Sequence, residues 1–234
     1  MMIIFGYLYF IRYIGPRYMI SRTPYKLKTL MLLYNFIQIL ANLWMVQEFI
    51  SSDWFSKYTL LCSELFPHSS NTLKIFNSMW WLFILKIFDL TETCIFVLRK
   101  KQNQVSTLHV YHHVSNIFFG WFYLKYILDE RVLLLTLFNC SIHVIMYMYY
   151  FVSAWGPKYQ QKIYFLKPFI TKIQMVQFVA IIILGLQILN PACPIQEKFH
   201  SVVAAFFIGN ILILLYLFYD FYKKSYTDKP KKKE

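Results

Sequence analysis

Three histidines fall within five residues, His109-Val-Tyr-His112-His113, and a fourth, His143, follows; all four sit inside otherwise apolar runs. Imidazole changes charge near neutrality, so it can act as a general acid or base, as a nucleophile toward an acyl group, or as a metal ligand. A hydrocarbon interior penalises such groups, so an ionisable residue at membrane depth points to function. Other polar residues recur at helical spacing nearby. Lys86, Asp89 and Thr93, with Glu92 beside them, form one stripe. His109, His112 and His113 stand at i, i+3 and i+4. Asn139, His143, Met146, Tyr147 and Tyr150 form a third stripe, and Thr171, Gln174 and Gln177 a fourth.

The elements that must position these stripes are membrane spans. The chain is 58% hydrophobic and 21% aromatic. Apolar runs near the roughly 20 residues a span needs recur at 30–49, 73–98, 105–128, 132–153, 169–189 and 199–222. A seventh, 1–14, reaches only about 21 Å against a core of about 30 Å, and reads as a short or partial span. It has no basic n-region, which argues against a cleaved signal peptide. The chain therefore reads as an all-α membrane protein: a single bundle over residues 1–222 and a basic tail over 223–234.

The net charge of +13 could suggest nucleic acid, but its distribution excludes that class. Most of the 24 Lys and Arg residues crowd onto alternate connections: Arg12 to Lys28, Arg99 to Lys101, Lys158 to Lys172, and Lys223 onward. The positive-inside rule makes that side cytosolic, with the C-terminus on it. Lys231 and Lys232, four and three from the end, resemble a dilysine signal for the endoplasmic reticulum. Cys62 and Cys193 fall in connections on the opposite, oxidising side, where a disulfide between them is expected. Cys94 and Cys140 read as packing residues in spans. His68 and His200 read as surface histidines, and Asn35, Gln38 and Asn42 as packing polar groups.

Depth ties the stripes together. Measured from the cytosolic ends at 1.5 Å per residue, Glu92 and His112 lie roughly 10 Å deep, Asp89 and His143 roughly 15 Å, and Gln174 and Gln177 roughly 9–13 Å. Lys86 lies about 20 Å deep, one turn from Asp89. Interhelical hydrogen bonding alone explains Gln174, Gln177 and Tyr150 about as well as catalysis does. It does not explain an Asp, a Glu and four His in one layer.

Three chemistries fit that layer. Three His and a carboxylate could hold one zinc, though no second histidine box supports a di-iron centre. An imidazole centre oriented by carboxylates could perform acid–base or nucleophilic chemistry on an amphiphile such as a long acyl-CoA. Arg99, Lys100 and Lys101 would then meet its phosphates. A seven-span receptor or transporter could carry a buried relay, but 234 residues leave little room for a gating element.

Five stretches in order resemble the fatty-acid elongase (ELO) family. They are Gly15-Pro16 with Arg22-Thr-Pro24-Tyr and Leu33-Tyr34-Asn35; Lys86-Ile-Phe-Asp89-Leu-Thr-Glu92-Thr93 through Arg99-Lys100-Lys101; Leu108-His109-Val-Tyr-His112-His113; Asn139-Cys-Ser-Ile-His143-Val-Ile-Met146-Tyr147 through Tyr150; and Thr171-Lys-Ile-Gln174-Met-Val-Gln177-Phe178. The family's charged box runs Glu then Asp, whereas here Asp89 precedes Glu92.

The resemblance implies seven transmembrane helices, six forming a barrel around an acyl tunnel and the first short and peripheral. It implies an acyltransferase, a very-long-chain 3-oxoacyl-CoA synthase, joining a long acyl-CoA to malonyl-CoA without metal or cofactor in the endoplasmic reticulum membrane. For that chemistry the polar layer offers His112 as acyl acceptor or central base. His109, His113, Asp89 and Glu92 would set its state, and His143, supported by Asn139, would stabilise oxyanion charge. Substrate binding would fall to Lys86, Arg99, Lys100, Lys101, Tyr147, Tyr150, Gln174 and Gln177. The product needs a ketoreductase, a dehydratase and an enoyl reductase as partners, and homo- or heterodimers are compatible with such a bundle. Residues near 183–190 and 128–134 would close the tunnel and set chain length.

Overall fold

Long apolar runs interrupted by single polar residues leave the backbone one way to satisfy its hydrogen bonds in lipid, the α-helix. A computed structural model describes residues 2–51, 70–127, 132–186 and 198–228, and every regular element among them is helical. The elements are α1 (Met2–Tyr9), a π-helical turn (Phe10–Ile14), α2 (Gly15–Met19), α3 (Lys28–Ile50), α4 (Ser70–Leu98), a 3-10 turn (Gln102–Gln104), α5 (Thr107–Tyr126), α6 (Val132–Ala154), α7 (Pro157–Ile163), α8 (Leu166–Leu186), α9 (Lys198–Tyr222) and a last π turn (Lys223–Thr227). Cys62, Cys193, His68 and the terminal lysines Lys231, Lys232 and Lys233 lie outside the described residues.

Among the described residues four helical stretches are long and apolar enough to cross a membrane: Lys28–Ile50, Leu133–Ala154, Leu166–Leu186 and Val202–Thr227. α4, at 29 residues, and α5, at 20, reach about 43 Å and 30 Å; they are the two that carry most of the buried charge and the histidine box. Burial runs inside out relative to a water-soluble bundle. In α3 the buried stripe includes Tyr34, Asn35, Gln38 and Asn42, while Leu33, Phe36, Leu40, Leu43 and Trp44 face outward. In α8 Thr171 and Gln177 are buried, and Val176, Val179 and Ile183 are exposed. Apolar faces belong against lipid and polar ones against other helices.

Helix contacts run in a circuit: α3 packs on α4, α4 on α5, α5 on α9, α9 on α8, α8 on α6, and α6 back on α3. α5 and α6 stand three places apart in that circuit, so side chains that meet between them meet in its interior. The first helical stretch packs on α4 through Ile4, Tyr7 and Ile11 against Leu90 and Val97.

One boundary differs from expectation for an identifiable reason. The first stretch does not end at Ile14 but continues helically to Met19, about 27 Å in all. Pro16 would clash with the carbonyl of the preceding turn in a regular helix. The π turn before it widens the spiral, with the Gly15 N–H reaching the Phe10 carbonyl, and Pro16 enters at the start of α2. Gly15 is also required by packing, because a Cβ there would lie 2.6 Å from Cγ1 of Val97.

The basic connection after α6 contains a helix, α7. Gly156, at φ 148, adopts a conformation open almost only to glycine, and Pro157 then starts α7 at a favoured position.

Candidate functional site

Ser106 starts the site. It caps α5, its Oγ accepting from the His109 N–H at 3.2 Å. This cap fixes the helix register so that His109, His112 and His113 open its first turns. The rings of His109 and His113 lie 4.3 Å apart edge to face, and those of His112 and His113 5.5 Å apart. Across the interior, the His112 and His143 rings are nearly parallel, 17° apart with centroids at 6.5 Å. The two histidine motifs therefore converge.

Each imidazole has a partner. His109 Nε2 lies 2.9 Å from Thr93 Oγ1, which in turn meets the Tyr7 hydroxyl at 2.8 Å. His112 Nε2 lies 3.2 Å from Asn116 Nδ2. His113 Nε2 stands 3.9 Å from Glu92 Oε2. His143 Nδ1 donates to the Asn139 carbonyl at 2.7 Å; a carbonyl only accepts, so the proton of neutral His143 is on Nδ1 and its lone pair on Nε2.

A second network lies beside the histidines. Asp89, 2% exposed, accepts from Gln38 Nε2 at 2.6 Å and from the Tyr147 hydroxyl at 3.4 Å. Lys86 Nζ sits 3.7 Å from its other oxygen and donates to Asn139 Oδ1 at 3.1 Å. Lys86 thus joins the charged stripe of α4 to the Asn–His stripe of α6. Gln38 also donates to the Tyr34 hydroxyl at 3.0 Å, and Asn42 donates to the Gln38 side-chain oxygen at 3.3 Å. A buried charge persists only when it is paired and hydrogen-bonded in this way.

Among the expected binding residues, Tyr147 is fully enclosed and its ring contacts His143 and Tyr150. Gln174 donates to Met146 Sδ at 3.5 Å. Gln177 is buried and its Nε2 has no protein partner. Arg99, Lys100 and Lys101 are not gathered into the layer; they form the end of α4 and the turn after it. The Lys101 and Lys100 N–H groups close that helix on Phe96 and Val97 carbonyls, with Lys100 at a left-handed φ of 53°. Lys100 Nζ donates to the Ile20 carbonyl at 3.3 Å, and Lys101 is exposed.

Glu92, His109 and His113 each bring one potential ligand atom within 4.8 Å of one another. That is a donor set a zinc ion could use after some closure, since zinc–nitrogen bonds are about 2.0 Å.

Sequence reading missed Tyr7 and Asn116, and gave Gln38 and Tyr34 no place in the site. Gln38 was legible. Ten residues into α3 it lies about 15 Å deep, level with Asp89 and His143, and Tyr34-Gln38-Asn42 repeats the i, i+4 stripe. Tyr7 and Asn116 carried no such signal. Thr93 bridges α1 to α5, so its loss should exceed that of either neighbour. Tyr7→Phe should cost about 1 kcal/mol, and Thr93→Val, which strands both the Tyr7 hydroxyl and a ring nitrogen, about 2–3 kcal/mol. Unfolding of the detergent-solubilised protein measures both; equal costs would mean Thr93 does not bridge.

The sequence profile of the ELO: GNS1/SUR4 family matches residues 1–234. A very long chain fatty acid elongase of Aedes aegypti is 34% identical over 224 residues, covering 94% of this chain and 61% of that protein. Very long chain fatty acid elongase 4 of Mus musculus is 32% identical, covering 97% of this chain and 71% of that protein. Elongase 1 of the same organism is 35% identical, with 96% and 80% covered. With the profile running the length of the chain and the histidine, charged and Asn–His stripes meeting in one layer, this protein belongs to the ELO family.

Proposed function

We propose that the protein is the condensing enzyme of fatty-acid elongation. It joins a long-chain acyl-CoA to malonyl-CoA, giving 3-ketoacyl-CoA, free CoA and carbon dioxide. The observation that carries this reading is the pair of near-parallel imidazoles, His112 and His143, meeting across the helix circuit beside a buried Lys86–Asp89 pair. The named relatives are elongases of very long chain fatty acids, in agreement with it.

The chemistry follows from what these groups can do. In the covalent route a His112 ring nitrogen attacks the thioester carbonyl, the C–S bond breaks and CoA leaves as thiol, leaving an acyl-imidazole. Malonyl-CoA then loses its carboxylate as carbon dioxide, and the resulting enolate carbon displaces the imidazole from the acyl carbonyl. In the concerted route the enolate attacks the thioester directly and His112 acts as the central base. His143, with its bare Nε2, can take a proton there and only then donate to oxyanion or enolate charge. Gln177, with its unmatched buried amide, is the residue best prepared to meet a substrate oxygen. Arg99 and Lys101, in the turn that follows α4, meet CoA phosphates at the cytosolic mouth.

This reading makes the circuit of six helices a barrel around the acyl chain, with the first helix outside it. The site faces the cytosol of the endoplasmic reticulum membrane, the C-terminus is cytosolic, and the reductases and dehydratase of the cycle act downstream.

The test is two-carbon extension by microsomes supplied with radiolabelled malonyl-CoA and a panel of acyl-CoAs, with and without a chelator. Incorporation that chelator spares supports metal-free histidine chemistry. Incorporation lost to chelator would move the centre to Glu92, His109 and His113. No incorporation with any acyl-CoA would leave family membership without this activity.

A further inference from the structure

A histidine that is to work as nucleophile or base must present its lone pair at one defined nitrogen. The second nitrogen's partner normally decides which. For His143 the decision is made by the Asn139 carbonyl, which takes the Nδ1 proton. For His112 it is made at the other end of the ring. Asn116, one turn further along α5, places its amide Nδ2 3.2 Å from His112 Nε2. An amide nitrogen has only hydrogens to offer, so Nε2 must accept. The neutral ring then carries its proton on Nδ1.

We infer that Asn116 is a positioning residue that fixes the tautomer of His112, keeping the lone pair on Nε2. Two unrelated devices, a backbone carbonyl and a side-chain amide, therefore give His112 and His143 the same tautomer. The two nearly parallel rings both hold Nε2 as the basic atom. Asn116 also covers that lone pair in the free protein, so substrate entering next to His112 displaces an amide rather than competing with bulk water. The spacing of four residues puts both side chains on one face of α5, so the contact lies within a single helix.

This inference rests on the condensing-enzyme reading for its consequence, but not for its test. The probe is the full chain in lipid nanodiscs with ring-15N histidine and no substrate, the His112 signal being identified by its loss in His112→Gln. The expected spectrum shows a directly bonded proton on Nδ1 of His112 and none on Nε2. In Asn116→Leu, of similar size, the preference disappears; in Asn116→Asp, whose carboxylate only accepts, the proton moves to Nε2. A wild-type His112 protonated on Nε2 overturns the inference whatever the variants do.

The kinetic arm is separate. Asn116→Leu should lower kcat about tenfold with KM for acyl-CoA within about twofold, as expected for one lost hydrogen bond to a reacting group. An unchanged kcat would deny Asn116 a positioning role. A wild type inactive with every acyl-CoA would instead count against the condensation itself.

Discussion

Replacing His112 with alanine should remove two-carbon extension by about 10²–10⁴-fold, the range for loss of a positioned acid–base group. The loss should be larger than for any other single change in the layer. His112 occupies the crossing point of the site: it touches His113 on its own helix, faces His143 on the opposite wall, and takes a hydrogen bond from Asn116. His109 and His113 are instead tied sideways to Thr93 and Glu92, as supports would be. Alanine at 109 or 113 should therefore reduce the rate less, by about 10–100-fold, because an orienting contact is lost rather than the reacting nitrogen. Extension assays on the three variants at matched membrane expression give the ranking. Mass spectrometry of wild type incubated with acyl-CoA alone separates the two routes. An acyl adduct on His112 establishes the covalent intermediate; activity without any adduct establishes the concerted one. Equal activity of His112→Ala and wild type would remove the histidine from the chemistry.

Much of this layer is legible in the sequence because membrane helices constrain sequence so tightly. Polar residues at i, i+3 and i+4 must share a face, and a fixed rise per residue converts position into depth. That ruler brought Asp89, Glu92, His112 and His143 to one level, and the structure brings their side chains together there. Gln38 falls at the same depth, but its neighbours Asn35 and Asn42 make it look like ordinary interhelical hydrogen bonding, whereas it donates to Asp89. Arg99, Lys100 and Lys101 lie beyond the layer, in the connection between the two most polar spans; spacing did not reveal that Lys100 closes a helix end and holds the Ile20 carbonyl. The continuation of the first helix past Gly15-Pro16 was hidden because proline signals an end unless a π turn makes room for it, and that turn has no sequence signature. Partner choice between single atoms, such as Tyr7 with Thr93 or Asn116 with His112, depends on helix packing and rotamer and is not encoded in spacing alone.

Lys86→Met should be the most destabilising change in the bundle, and the reason lies in Asp89. The aspartate is 2% exposed, and Lys86 is the only cation within ion-pair distance of it among the described residues. Gln38 and Tyr147 satisfy part of its hydrogen-bonding capacity but cannot neutralise it. Removing one member of a buried pair leaves an uncompensated charge and costs about 3–5 kcal/mol. Asp89→Asn in the same background removes that charge while keeping an acceptor for Gln38. The double variant should therefore recover most of the loss, a coupling of about 2–3 kcal/mol read from a double-mutant cycle on unfolding in detergent.

Activity should not recover with it. Lys86 also holds the Asn139 side chain, whose backbone carbonyl fixes the His143 proton. With methionine at 86 that tether is gone whether or not Asp89 carries charge. Stability restored with extension still reduced at least about tenfold would show that the ion pair serves the site as well as the fold. If stability and activity return together, the pair only neutralises itself, and His143 is positioned without it. If the double variant is no more stable than Lys86→Met, Asp89 was not the group that Lys86 compensates.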